Sequence, residues 1–141
     1  MVQGYDRLFI EFVYYFNVER DYFECHEVME ELWLEEGRHP LLQGLLQVAV
    51  GLYHHANGNV SGAVKLLTAA LQKLDPQPEE TLGIHLDKLR RDSAEYLDKL
   101  RRIGEAPFAP YDLDIEVLDP VLCDAVERLI ANPPVKEHEN G

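Results

Sequence analysis

Residues 40–56, Pro-Leu-Leu-Gln-Gly-Leu-Leu-Gln-Val-Ala-Val-Gly-Leu-Tyr-His-His-Ala, are apolar almost all the way round a helical wheel. Such a helix has no face to offer water, and leaving it exposed would cost about 25 cal/mol for each Å² of apolar surface. The rest of the chain must therefore surround it. The stretch is also too short and too polar (Gln43, Gln47, His54, His55) to span a bilayer.

The flanking segments are patterned to supply that cover. Leu8, Phe9, Phe12, Val13 and Phe16 recur with helical spacing over about 5–16, where Asn17 is expected to end the helix. Asp21 can cap a second helix over about 22–36, with Glu24 placed as in a capping box. Gly37 stops it and Pro40 suits the first turn of the central helix. Asn57-Gly58-Asn59 turns the chain into a helix over about 60–74. Gly44 and Gly51, one heptad apart, would let a neighbouring helix come close. After Asp75-Pro76-Gln77-Pro78, a helix over about 79–103 carries the seam Leu82, Leu86, Leu89, Ser93, Tyr96, Leu100, Ile103. Its outer face has acid-before-base pairs at four-residue spacing: Asp87–Arg91, Glu95–Lys99 and Asp98–Arg102. Residues 104–119 read as an irregular surface segment, and 120–130 as a last short helix. The expected architecture is all-α: a single-domain helical bundle of five to six helices over 1–131, with a central apolar helix, and a flexible tail over 132–141.

Charge removes some functions. With 26 acidic and 13 basic residues the net charge is −13, which disfavours nucleic acid and anionic membrane surfaces as partners. Cys25 and Cys123 have no paired-thiolate spacing, so neither a disulfide framework nor a zinc ribbon is indicated. The N-terminus lacks the basic start and apolar run of a signal peptide, and a cytoplasmic location is expected.

The chemistry concentrates in residues 22–33, Tyr-Phe-Glu-Cys-His-Glu-Val-Met-Glu-Glu-Leu-Trp. On the wheel Cys25, Val28, Met29, Leu32 and Trp33 form an apolar arc, and Glu24, Glu27, Glu31 and Glu35 lie opposite. His26 and Glu30, one turn apart, fall between Trp33 and the pair Phe23 and Leu34, where burial is expected. Gln43, Gln47 and His54 make a stripe on the central helix, and a short connection favours antiparallel packing of the two. One buried constellation of His26, Glu30, Gln43, Gln47 and His54 follows. Three readings compete. In the first, the network serves only to fix helix register. In the second, His26, Glu30 and His54 hold a divalent metal such as zinc or iron. In the third, a desolvated carboxylate beside histidine does acid–base work. Sharper motifs fail. His26-Glu27-Val28-Met29-Glu30 has glutamate where a metalloprotease helix needs its second histidine, and the repeated Glu-x-x-His of di-iron bundles is missing. His55 points about 100° from His54 and is expected at the boundary with solvent; His39, His85 and His138 are expected on the surface.

The spacing His26, Glu30, Trp33 resembles the His-x-x-x-Glu-x-x-Trp/Tyr signature of the domain of unknown function family DUF309. Phe16-Asn17, Tyr22-Phe23-Glu24, Gln43-Gly44, Gln47, Tyr53-His54, Gly58-Asn59 and Gly62-Ala63 extend the likeness over about residues 9–74. The resemblance implies an all-helical fold and metal binding at the signature, and no particular activity. Residues 62–71 are also similar to one hairpin of a tetratricopeptide-type repeat, but no second copy follows. Two function classes therefore stand: a metal or small-molecule site with Trp33 beside His26 and Glu30, or a protein-interaction module. The module would use the helix over 79–103 to bind a homodimer mate or another protein partner.

Overall fold

In a computed structural model, which describes residues 4–136, the central helix stands where its sequence requires. Among the described residues the helices are α1 (Arg7–Tyr14), α2 (Tyr22–Glu35), α3 (Pro40–Ala56), α4 (Val60–Leu74), α5 (Leu86–Arg101) and α6 (Pro120–Ala131). A short ribbon, β1 (Glu80–Thr81) and β2 (Ile84–His85), precedes α5. The protein is all-α apart from that ribbon. Leu41, Leu42, Leu45, Val48, Ala49 and Leu52 of α3 are buried, with α2 on one side and α4 on the other. A Cβ at Gly44 would stand 2.7 Å from a Leu74 methyl, and one at Gly51 2.9 Å from Leu67 Cγ. The two glycines thus seat α4 against the α3 backbone, a closeness that a larger side chain would forbid.

Side chains start the helices. Asp21 accepts the Glu24 N–H (3.1 Å) and Asn59 that of Gly62 (3.0 Å). Asp119 accepts the Val121 N–H at 2.9 Å, with Pro120 in the first turn. Two histidines do the same work: His39 Nδ1 accepts from Leu41 at the start of α3 and His85 Nδ1 from Lys88 at the start of α5, both at 3.1 Å. The surface role expected of His39 and His85 is therefore a capping role. His138 and residues 137–141 of the expected tail lie outside the described residues. Within that tail, Lys136 pairs with Glu19 (3.0 Å) and Asp21 (2.8 Å).

The structure corrects the sequence reading in three places. The fifth helix begins at Leu86, not near residue 79, because Leu82 and Gly83 take φ of 54° and 76° and turn the chain into the ribbon. That is the two-residue hairpin geometry, here without the usual Asn-Gly signal. Nor does the first helix end at Asn17. A π-helical turn over Tyr15–Glu19 follows α1 and closes on Arg20 at φ 56°, and Tyr14, Tyr15 and Phe16 are all buried. Finally, residues 112–118 do not merely cover the surface; they form an extended strap. Leu113 and Ile115 are buried and Val117 bridges Ile84, while Asp112, Asp114 and Glu116 face solvent. Asn17 holds the strap as a backbone strand would: its Nδ2 donates to the Ile115 carbonyl (2.7 Å) and its Oδ1 accepts the Ile115 N–H (2.8 Å). Arg20 donates to the Leu113 carbonyl and the Tyr22 hydroxyl to Asp112, each at 2.5 Å. No helix among the described residues is long and apolar enough to cross a membrane.

Candidate functional site

Two stripes make up the outer face of the α2–α3 pair. Phe23, His26, Glu27, Glu30, Trp33 and Leu34 recur at three- and four-residue steps on α2, and Gln43, Leu46, Gln47, Val50, Tyr53 and His54 do so on α3. All are half-buried or exposed. The Phe23 and Tyr53 rings meet with centroids 6.1 Å apart, which fixes the register at one end of the pair. In an antiparallel pair, each step back along α3 then meets a step forward on α2. Each of these residues keeps some exposure, on two helices that pack against one another.

Sequence and structure disagree about the depth of the His26–Glu30 pair. The His26 and Glu30 side chains keep 36% and 50% of their exposure, so the pair is not buried. Both imidazole nitrogens face a carboxylate: Nδ1 lies 3.3 Å from Glu27 Oε1 and Nε2 3.3 Å from Glu30 Oε2. The expectation failed because α2 turns this stripe outward and packs Cys25, Met29 and Leu32 inward. Glu27, expected to point away, instead flanks His26. Glu24 is also corrected: it is 3% exposed, on the side of α2 that α1 covers.

His54 does not join His26. It sits near the C-terminal end of α3, where its Nδ1 is 3.3 Å from Asn59 Nδ2. Among the described residues no group of three or more His, Cys, Asp or Glu side chains is arranged to hold a metal ion, so the His26, Glu30, His54 set is not assembled. Trp33 lies under the Arg38 guanidinium, 5.2 Å from its ring centroid. Its indole Nε1 and Gln47 Oε1 are both shut off from solvent, and neither has a hydrogen-bond partner among the described residues. Near Phe23 and Tyr53 the face opens on a shallow cleft of about 490 Å³ that Arg20 and Asp112 also line.

The histidine that is buried is His55, and here the expectation of a solvent-boundary residue is overturned. It is 5% exposed, and its Nδ1 lies 2.5 Å from the Tyr96 hydroxyl. Phe108 and Tyr111 complete the cluster, with ring centroids 4.9 Å from His55 and 4.6 Å from Tyr96 respectively. Burial pushes the His55 imidazole below the ordinary histidine range and the Tyr96 phenol up to about 12. Both are therefore neutral near pH 7 and share one hydrogen bond. This pair is a sealed part of the core. Leu89, Tyr96 and Leu100 of the α5 seam are buried in the same interior. On the outer face of α5 Arg91 pairs with Asp87 (3.0 Å) and Arg102 with Asp98, as the spacing implied, whereas Lys99 turns to the Tyr111 ring.

Residues 9–66 match the model of the domain of unknown function DUF309. The chain is 36% identical over 86 residues to the uncharacterized protein YpuF of Bacillus subtilis (strain 168), covering 59% of this chain and 49% of that protein. It is 27% identical over 99 residues to an uncharacterized protein of Aquifex aeolicus (strain VF5), covering 68% of this chain and 29% of that one. The chain thus spans about half or less of the length of these relatives. The family resemblance holds over the stretch that contains α2 and α3. None of these matches singles out His26, Glu30 or Trp33.

Proposed function

We propose that the protein is a helical binding module. Its working surface is the outer face of α2 and α3, and its recognition residues are His26, Glu30, Trp33, Gln43, Gln47 and His54. The observation that carries this reading is the apolar exposure around the His26–Glu30 pair: Phe23, Leu34 and Tyr53 keep 46%, 49% and 38% of their exposure on this one face. Large apolar side chains grouped about a polar pair on a broad surface are the composition of a protein-binding patch, in which aromatic anchors carry the energy. Glu27 and Glu30 make the face acidic, so the complementary ligand is an amphipathic helix whose polar side is basic. A reducing, cytoplasmic setting belongs to the same proposal and is supported by two unpaired thiols, Cys25 and Cys123.

Trp33 is the protein's one tryptophan and lies on this face, so its fluorescence is a direct probe. An amphipathic Leu/Lys helical peptide should bind saturably and change Trp33 emission, and a Leu/Glu counterpart should not. Phe23→Ser with Tyr53→Ser keeps the charge and should weaken binding at least about tenfold, as expected for loss of anchors worth over 1 kcal/mol. Equal binding by the double variant would refute the reading.

One observation favours a second reading. His26 Nε2 and Glu30 Oε2 lie 3.3 Å apart on successive turns, a pair of donors suited to zinc or ferrous iron, with Glu27 adjacent. Calorimetric titration with zinc checks it. Uptake that disappears in His26→Ala supports the metal reading, and unchanged uptake removes it.

A further inference from the structure

A cavity lies away from the face just described, at the end of the bundle where α1 starts, α2 stops and α3 begins. It encloses about 720 Å³ and reaches across to the ribbon turn, within the range of sites that hold small organic ligands. Its apolar lining is made by Phe9, Leu32 and Leu42, with Leu82 of the ribbon turn beside them. Four carboxylates, Asp6, Glu35, Glu36 and Asp119, line it together with Tyr5 and His39, and among the described residues no lysine or arginine does. The two cations adjacent to it in sequence are engaged elsewhere, Arg7 with Glu11 (2.7 Å) and Arg38 over the Trp33 ring.

Charge and shape together identify the class of occupant. An anion would meet carboxylates with no cation to balance them. The N-termini of α1 and α3 open here, but both are already occupied, α1 by Asp6 and α3 by His39. A bare metal ion would gain nothing from the apolar lining. Asp119 is held ionised: it accepts hydrogen bonds from the Tyr5 hydroxyl (2.5 Å) and from the Val121 N–H, which keep its carboxyl below the usual carboxylate range. The other Tyr5 contact is with the ribbon, where Gly83 leaves room for the ring that a side chain would take. Tyr5 and Asp119 thus brace one wall of the cleft, joining the start of α1 to the start of α6.

We propose that this cleft binds a small organic cation, a primary amine carried on an apolar body, with the ammonium among the rim carboxylates and the body on Phe9, Leu32 and Leu42. The site is distinct from the α2–α3 face, so either proposal can fail without the other. Hexylamine and hexanoate share one apolar body and differ in charge, which makes them the deciding probes. In an amide NMR titration of the full chain, hexylamine should shift Phe9, Leu32 and Leu42 saturably, and hexanoate should bind at least about tenfold more weakly. Glu35 and Glu36 are exposed, so Glu35→Gln with Glu36→Gln should leave the fold intact and weaken hexylamine about fivefold, the scale of partly screened charge pairs. Three results would each overturn the assignment. One is hexanoate binding as well as hexylamine. Another is shifts that fall on Phe23 and Tyr53 instead. The third is binding only after residues 1–3 are removed, the mark of a cleft filled by the chain's own terminus.

Discussion

Two histidines of this chain each face a polar partner, and they are held in opposite ways. His26 lies on α2 between Glu27 and Glu30, half in water, with both contacts at 3.3 Å. His55 lies at the end of α3 against Tyr96, sealed by Phe108 and Tyr111, with its contact at 2.5 Å. The first pair can be removed and replaced by water at almost no cost to the fold; the second cannot. A group in solvent recovers its hydrogen bonds from water, and a buried one does not. What is dispensable to the fold is free to serve binding, and what is sealed serves the fold.

The sharpest way to break the contrast is to remove the centre of the sealed cluster. Tyr96→Ala should cost about 3–5 kcal/mol in urea unfolding, the usual loss for a buried aromatic. A loss below about 1 kcal/mol would mean that the cluster is not core. The strap that closes it comes next. Asn17→Ala leaves both backbone groups of Ile115 without partners and should cost about 1–3 kcal/mol. It should also raise hydrogen exchange over residues 112–118. Unchanged exchange there would show that the strap holds without Asn17.

Acid gives a smaller and graded effect. Because burial lowers the His55 value from 6.5, the unfolded chain binds a proton in a pH range where the folded chain refuses it. The stability that His55 contributes is complete above pH 6.5 and declines as pH falls below it, until the folded imidazole also titrates. Unfolding curves at about pH 7.5 and 5.5 should show this fall in the wild type and a reduced fall in His55→Gln. An identical fall in both would assign the acid sensitivity to other groups.

The two regions also differ in how far they could be read from sequence. Apolar periodicity placed α3 at the centre, and Gly44 and Gly51 marked the close approach that α4 makes. The stripe of His26 and Glu30 and that of Gln43 and Gln47 followed from the same spacing. Their depth did not. Spacing orders residues around one helix, but burial depends on which other segments lie against it. The strap decides this for His55, because it brings Phe108 and Tyr111 onto Tyr96 from residues distant in sequence. Its signal was present: Asp112, Leu113, Asp114, Ile115, Glu116 and Val117 alternate polar and apolar, the period of an extended chain, among segments of helical period. The ribbon left a fainter trace, since Leu82 fits the heptad seam and only Gly83 hints at a turn. The π-helical turn after α1 left none that helical periodicity could detect.

The central claim is that the His26–Glu30 pair belongs to a surface and the His55–Tyr96 pair to the core. Urea unfolding of two variants tests it most directly: His26→Ala combined with Glu30→Ala, and His55→Ala alone. The double variant should remain within about 0.5 kcal/mol of wild type, as exposed substitutions do, and His55→Ala should lose about 2 kcal/mol or more by taking the imidazole from the buried Tyr96 hydroxyl and opening a hole beside it. A double variant that loses several kcal/mol, or a His55→Ala protein as stable as wild type, would contradict the account.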